Sequence, residues 1–288
     1  MAPLKENPAP HDEDLIKKLN AIALSLRRDS LIMTTKASSG HIGGSLSAAD
    51  IVAALYFHHL RHDPKNPNWG DRDRFILSKG HACPVVYAAL AKAGYFPREE
   101  LWTLRKIGSI LQGHPDMRRT PGIEASTGTL GQGLSIGEGM ALAARLDGKA
   151  YRVYVLLGDG ELDEGQVWEA AMSASHYRID NLTAIVDLNS HQLSGPTDKV
   201  MSLKPVADKW RAFGWHVIEI DGHRMKQILD SLDEAERIKS KPTVIIAHTN
   251  KGKGVSCVER SFAEGHCEYH GIPLTESELA QALEELHE

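Results

Sequence analysis

The run Tyr151–Leu157 (YRVYVLL) is almost wholly apolar and is closed by Gly158-Asp159-Gly160. A strand of this kind needs both of its faces covered, as happens inside a parallel sheet flanked by helices. Helical periodicity follows over residues 163–177, where Val167, Ala170, Ala171, Ala174 and Tyr177 share one face. Asp163 is placed to cap that helix and Gln166 to complete a capping box. Leu182–Leu188 (LTAIVDL) is the next apolar run and ends at Asn189. Strand, helix and strand in this order make a βαβ unit.

The rest of the chain repeats the alternation. Leu15, Leu19, Ile22 and Leu26 predict a helix over 15–35. A second helix is expected after Ser47 as cap, with Asp50 three residues on and Ile51, Val52, Leu55 and Tyr56 inward. Residues 63–73 read as a loop by their Pro, Asn and Gly content. Phe75-Ile76-Leu77 is a short strand, and 84–93 and 98–107 read as helices. The Gly-rich stretch 108–139 turns helical from about Gly131 and continues to Leu146. Strands are predicted at His216–Ile220 and Thr243–His248, a helix at 224–239, and an acidic amphipathic helix after Pro273. The fold class is therefore α/β, a parallel sheet with helices on both faces. Without a repeat or a long linker, residues 13–288 are expected to be a single domain behind a flexible, Pro-rich tail at 1–12.

Composition narrows the function. The 288 residues are 42% hydrophobic and 25% charged, which excludes disordered, collagen-like and coiled-coil chains. A net charge of −5 argues against a nucleic-acid partner. No apolar run approaches the roughly 18 residues that a membrane span needs. The cysteines, Cys83, Cys257 and Cys267, are odd in number and form no C-x-x-C pair, so a reducing cytoplasm is expected.

Chemistry enters where the two strands end. The βαβ unit sets Asp159 and Asn189 side by side at the carboxyl ends of neighbouring strands, where open α/β sheets bind ligands. One carboxylate and one amide oxygen suit Mg²⁺ or Ca²⁺ rather than Zn²⁺. So few protein ligands leave room for water and phosphate oxygens, and Gly158 and Gly160 let backbone approach such a phosphate.

Gly-Asp-Gly followed at this distance by Asn resembles the signature of thiamine-diphosphate enzymes. Further motifs resemble those of the transketolase family: Ser39-Gly40-His41-Ile42-Gly43-Gly44, Ser78-Lys79-Gly80-His81, Gln112-Gly113-His114-Pro115, Thr127-Gly128-Thr129-Leu130-Gly131-Gln132-Gly133 and Tyr269-His270-Gly271-Ile272-Pro273. They occur in family order. The resemblance implies a diphosphate-binding domain of the thiamine-diphosphate fold. It implies that Asp159, Asn189 and the backbone carbonyl of His191 bind Mg²⁺, with Ca²⁺ a possible substitute. His81, Gly158 and Gly160 would lie at the diphosphate, and Gly128 and Leu130 at the cofactor's rings. His41, His114 and His270 would line the substrate channel and move protons, work suited to a group that titrates near neutral pH. Glu164 falls where the family has a glutamate at the subunit interface beside the cofactor. Ile42, Thr129, Leu188 and His191 depart from the usual residues.

The family's pyrimidine-binding domain is not found in this sequence. The resemblance therefore implies one half of a split transketolase, the N-terminal subunit. It would be active with a separate C-terminal chain, in an α2β2 heterotetramer, on sugar phosphates. Rival readings are weaker. The α chain of a 2-oxoacid dehydrogenase shares Gly-Asp-Gly…Asn but would lack the set His41, His81, His114 and His270. The synthase of deoxyxylulose phosphate shares several of these histidines but is a long single chain. A non-catalytic partner protein would not need all four. Gly131-x-Gly133-x-x-x-Gly137 does not have nicotinamide-site spacing. No His-Glu-x-x-His supports a zinc hydrolase.

Overall fold

The structure is a computed structural model that describes residues 11–287. The chain runs through α1 (Glu13–Lys36), α2 (Gly43–Ala54), β1 (Arg74–Leu77), α3 (Cys83–Ala93) and α4 (Gln132–Leu146). There follow β2 (Val153–Gly158), α5 (Gly165–His176), β3 (Leu182–Leu188) and a small hairpin of β4 (His191–Gln192) and β5 (Gly195–Pro196). The last part holds α6 (Thr197–Val200), α7 (Val206–Ala212), β6 (His216–Asp221), α8 (Met225–Arg237), β7 (Thr243–His248), α9 (Ser256–Ala263) and α10 (Glu276–Glu285).

Five strands pair in the order β1-β2-β3-β7-β6, all parallel. The register sets Leu156 beside Ile185 and Ile185 beside Ile245. Alternate side chains feed two cores. Tyr154, Leu156, Ile185 and Ile245 pack with residues of α1, α2, α3 and α8. Val153, Val155, Leu157, Val186 and Ile246 pack with α4, α5 and α7 on the other face. The apolar runs are continuous because neither face of these central strands meets water. A third cluster joins α9 and α10 to Leu31, Ile42 and Leu46.

Four local expectations change. Asp12 is no part of a flexible tail: it caps α1, accepting from Leu15 N at 2.6 Å, and His11 pairs with Asp233 at 3.1 Å. The remaining tail residues, 1–10, lie outside the described residues. The second helix starts at Gly43, not after Ser47, so Ser47 is an interior residue whose hydroxyl donates to Asp187 at 2.6 Å. The helix of the βαβ unit starts at Gly165 behind Glu164, with no side-chain cap. Asp163 instead closes a 3₁₀ turn, Gly160–Asp163, that forms because the chain must bend sharply at the strand end. Residues 98–107 are helical only as a 3₁₀ segment at Arg98–Thr103, and Arg105 beyond it takes a φ of 60°.

Candidate active site

The carboxyl ends of β1, β2 and β3 open onto a cavity of about 220 Å³. From the expected set, His41, His81, Gly128 and Leu130 line it. So do Gly158, Asp159, Gly160, His191 and His270. The four histidines arrive from separate loops. The His41 ring lies 5.1 Å from that of His81, 5.6 Å from that of His270 and 6.4 Å from that of His114. His81 and His270 stack at 5.2 Å. His114 stands at the rim, exposed, packed against Gly128.

Burial and nearby cations bias the cluster toward neutral imidazoles. Burial first, then Arg105, His114 and Lys251, bring His41 down to about 4. Burial, Lys251 and His41 bring His270 down to about 3. Burial pushes His81 well below the ordinary imidazole value, and burial with Arg105 lowers His114. A neutral imidazole donates from one nitrogen and accepts at the other. Lys251 Nζ lies 2.9 Å from His270 Nδ1, so Nδ1 accepts and Nε2 carries the proton of His270. His41 Nδ1 is buried with no partner among the described residues, and so is the amide nitrogen of Gln192 at the cavity wall. Buried polar atoms of this kind are rare unless something else completes them.

Asp159 is 3% exposed and accepts from two backbone N–H groups, Gly160 at 2.8 Å and Ser190. Burial and the charge of Asp187 push its carboxyl up to about 7. A buried carboxylate held only by backbone N–H groups fits a divalent cation. Asn189 follows on the neighbouring strand end, its Oδ1 accepting from His191 N at 3.2 Å. It lines an adjoining cavity of about 580 Å³ that also touches His191 and Lys251. The His191 carbonyl accepts from Lys251 Nζ at 2.6 Å. No group of three or more His, Cys, Asp or Glu suited to a metal ion occurs among the described residues. Glu164 is not brought to the cavity; it is exposed at the start of α5.

Sequence reasoning missed three residues here. Lys79 is 2% exposed, pairs with Asp187 and donates to the Gly44 carbonyl at 3.0 Å. Lys251 is 5% exposed and is lowered to about 8, chiefly by burial. Glu161 ties three motif loops together: it accepts from Ser78 Oγ, from Gly131 N at 2.9 Å and from Gly158 N at 3.0 Å. Gly131 has a φ of 83°, and a Cβ there would lie 2.7 Å from Glu164 Cβ, so only glycine fits the start of α4.

Residues 19–287 match the transketolase thiamine diphosphate binding domain. The chain belongs to the transketolase family. It is 49% identical over 261 residues to the 6-deoxy-6-sulfo-D-fructose transketolase subunit of Clostridium sp., covering 91% of this chain and 93% of that one. It is 47% identical over 253 residues to an apulose-4-phosphate transketolase subunit of Phocaeicola vulgatus, 88% of each chain. Among solved structures, transketolase from Campylobacter jejuni superposes with a TM-score of 0.88 at 36% identity over 94% of this chain. The chain spans 43% of that longer transketolase's length. No helix among the described residues is long and apolar enough to cross a membrane.

Proposed function

We propose that this chain is the N-terminal, thiamine-diphosphate-binding half of a two-chain transketolase that moves a two-carbon ketol unit from a ketose phosphate to an aldose phosphate. Residues 13–288 act as one cofactor-binding domain, working in the cytoplasm. The supporting observation is the meeting of His41, His81 and His270 with Asp159 and Gly160 in one cavity at the strand ends, with His114 at its rim.

Asp159, Asn189 and the His191 carbonyl would hold Mg²⁺, or Ca²⁺ in its place. His81 and Gly160 would contact the diphosphate, with the Lys79 and Lys251 ammonium groups facing the same cavity. Gly128 and Leu130 would touch the cofactor rings. When bound, the cofactor supplies the carbon nucleophile and electron sink of the reaction. The chain's own share is binding, orientation and proton movement. His41, His114 and His270 line the path of the sugar, and His270 presents an Nε2–H that can donate to a carbonyl or hydroxyl oxygen where charge develops. Glu164, exposed at the start of α5, would meet a neighbouring protomer.

The pyrimidine-binding half of the site would come from a separate C-terminal subunit, in an α2β2 heterotetramer. Two relatives of matching length are named as transketolase subunits, which supports this division. Their names carry a sulfonated sugar and apulose 4-phosphate, so unusual ketoses belong among the donors tried beside xylulose 5-phosphate. Ketol transfer to ribose 5-phosphate, measured on the chain alone and with a C-terminal transketolase chain added, tests the proposal. Activity confined to the mixture supports it, and activity in the chain alone defeats it.

A further inference from the structure

One fully buried carboxylate stands behind the site, in contact with Asn189 and Lys79 rather than with the cavity itself. Asp187 lies on β3, two residues before Asn189, with no exposed surface. Its Oδ2 accepts from Ser47 Oγ at 2.6 Å, from Lys79 Nζ and from Asn189 Nδ2 at 3.1 Å. Its Oδ1 accepts from Thr249 Oγ1. The donors come from α2, from the loop after β1, from the end of β3 and from the loop after β7. Four donors thus surround the carboxylate, one of them the Lys79 ammonium.

An asparagine amide can present either its oxygen or its nitrogen to a given side. Here the choice is set by geometry, because both Asp187 oxygens are ringed by donors and act as acceptors. The Asn189 Nδ2 group must face Asp187, which turns Oδ1 to the opposite side, where His191 N meets it at 3.2 Å. That oxygen keeps a lone pair for a cation. On the same stretch, Ser190 N donates to the Asp159 carboxylate. Without Asp187 the amide is free to turn over and set an N–H₂ group, which repels a cation, in the place of the ligand oxygen.

We propose that Asp187 is a positioning residue of the metal site: its carboxylate fixes the Asn189 amide with the oxygen free for a divalent cation and holds the Lys79 ammonium at the cavity wall. The inference rests on the proposed metal and cofactor binding at this site. Groups that orient metal ligands typically change affinity by about 10–100-fold when lost.

The test uses the full chain mixed with a C-terminal transketolase chain, Mg²⁺ and thiamine diphosphate. In Asp187→Asn, the Mg²⁺ concentration that half-saturates cofactor binding should rise at least about tenfold. Thr249→Val removes a different hydrogen bond to the same carboxylate and leaves the Asn189 contact. It should lower the melting temperature as a buried-bond loss does, with less than about a threefold change in Mg²⁺ requirement. A folded Asp187→Asn chain within about twofold of the wild-type requirement would overturn the proposal. Should Asp187→Asn not fold, asparagine-selective ¹⁵N spectra of the wild-type chain decide, with Asn189→Ala assigning the signal. Side-chain amide protons of Asn189 protected from solvent exchange and shifted from free-asparagine values, without any metal, support a fixed amide. Free-asparagine shifts with no protection overturn it. If the wild-type mixture shows no Mg²⁺-dependent cofactor binding, the functional reading fails, while the amide spectrum still decides the role of Asp187.

Discussion

Mild acid should destabilise the cofactor-free chain through its histidine cluster. His41 stands at about 4 and His270 at about 3, lowered first by burial. In the unfolded chain each titrates near the ordinary value of about 6.5. A depressed folded pKa gives stability that is fully present above the unfolded value and is lost as pH falls toward the folded one. At pH 5 a histidine that is neutral when folded and free to charge when unfolded costs about 2 kcal/mol. That cost hardly depends on the folded value once it lies well below pH 5, so the pair sets a ceiling of about 4 kcal/mol. Both rings are only partly buried, and solvent screening reduces the sum to about 2–3 kcal/mol. Against a total stability on the order of 10 kcal/mol this is a large fraction. Urea unfolding at pH 7.5 and pH 5 measures it, comparing wild type with a His41→Gln, His270→Gln double variant. All other titrating groups are shared, so the difference between the two pH-induced losses isolates the pair. The wild type should lose about 2–3 kcal/mol more, a relative midpoint shift of about 1 M at an m-value of about 3 kcal/mol/M. Equal losses in the two proteins would refute the claim that the fold holds these imidazoles neutral.

Two further predictions concern packing and turnover. Gly133→Ala puts a Cβ 2.5 Å from Ser78 Cβ and 2.8 Å from its Cα, and should destabilise by about 1–3 kcal/mol. Gly139→Ala meets nothing within 4 Å inside α4 and should stabilise by roughly 0.5–1 kcal/mol. Thermal melts of both variants check the pair, and a shift of the same sign in both would contradict the packing described. His114→Ala should lower turnover of the assembled enzyme at least about tenfold with cofactor affinity nearly unchanged. A large loss of cofactor binding would instead move His114 to the diphosphate.

The elements most legible in the sequence were those with one physical explanation. The apolar runs of β2, β3 and β7 admit only strands buried on both faces, and their ends locate Asp159 and Asn189 from the pattern alone. The Gly-flanked histidines were visible for a similar reason, since tight loops at strand ends rarely spend histidine on packing. Ser47 misled because Gly43 and Gly44 look like loop. They open α2 for a tertiary reason: a Cβ on Gly43 would lie 2.9 Å from the Phe262 ring. Asp163 and Gln166 carry the spacing of a capping box, but the turn after Asp159 takes those residues first. Lys251, Glu161 and Asp187 left no local trace. Besides near neighbours they reach partners 60, 83 and 140 residues away, at His191, Ser78 and Ser47, and no motif spacing encodes those contacts.

The most direct test of the central claim is thiamine diphosphate binding as a function of Mg²⁺, by calorimetry on the chain mixed with its C-terminal partner. The wild type should bind in Mg²⁺ and release the cofactor on chelation with EDTA. Asp159→Ala, deprived of its strand-end carboxylate, should not bind at any accessible Mg²⁺ concentration. Unchanged affinity in Asp159→Ala, or binding indifferent to EDTA, would contradict a metal-held cofactor at this site.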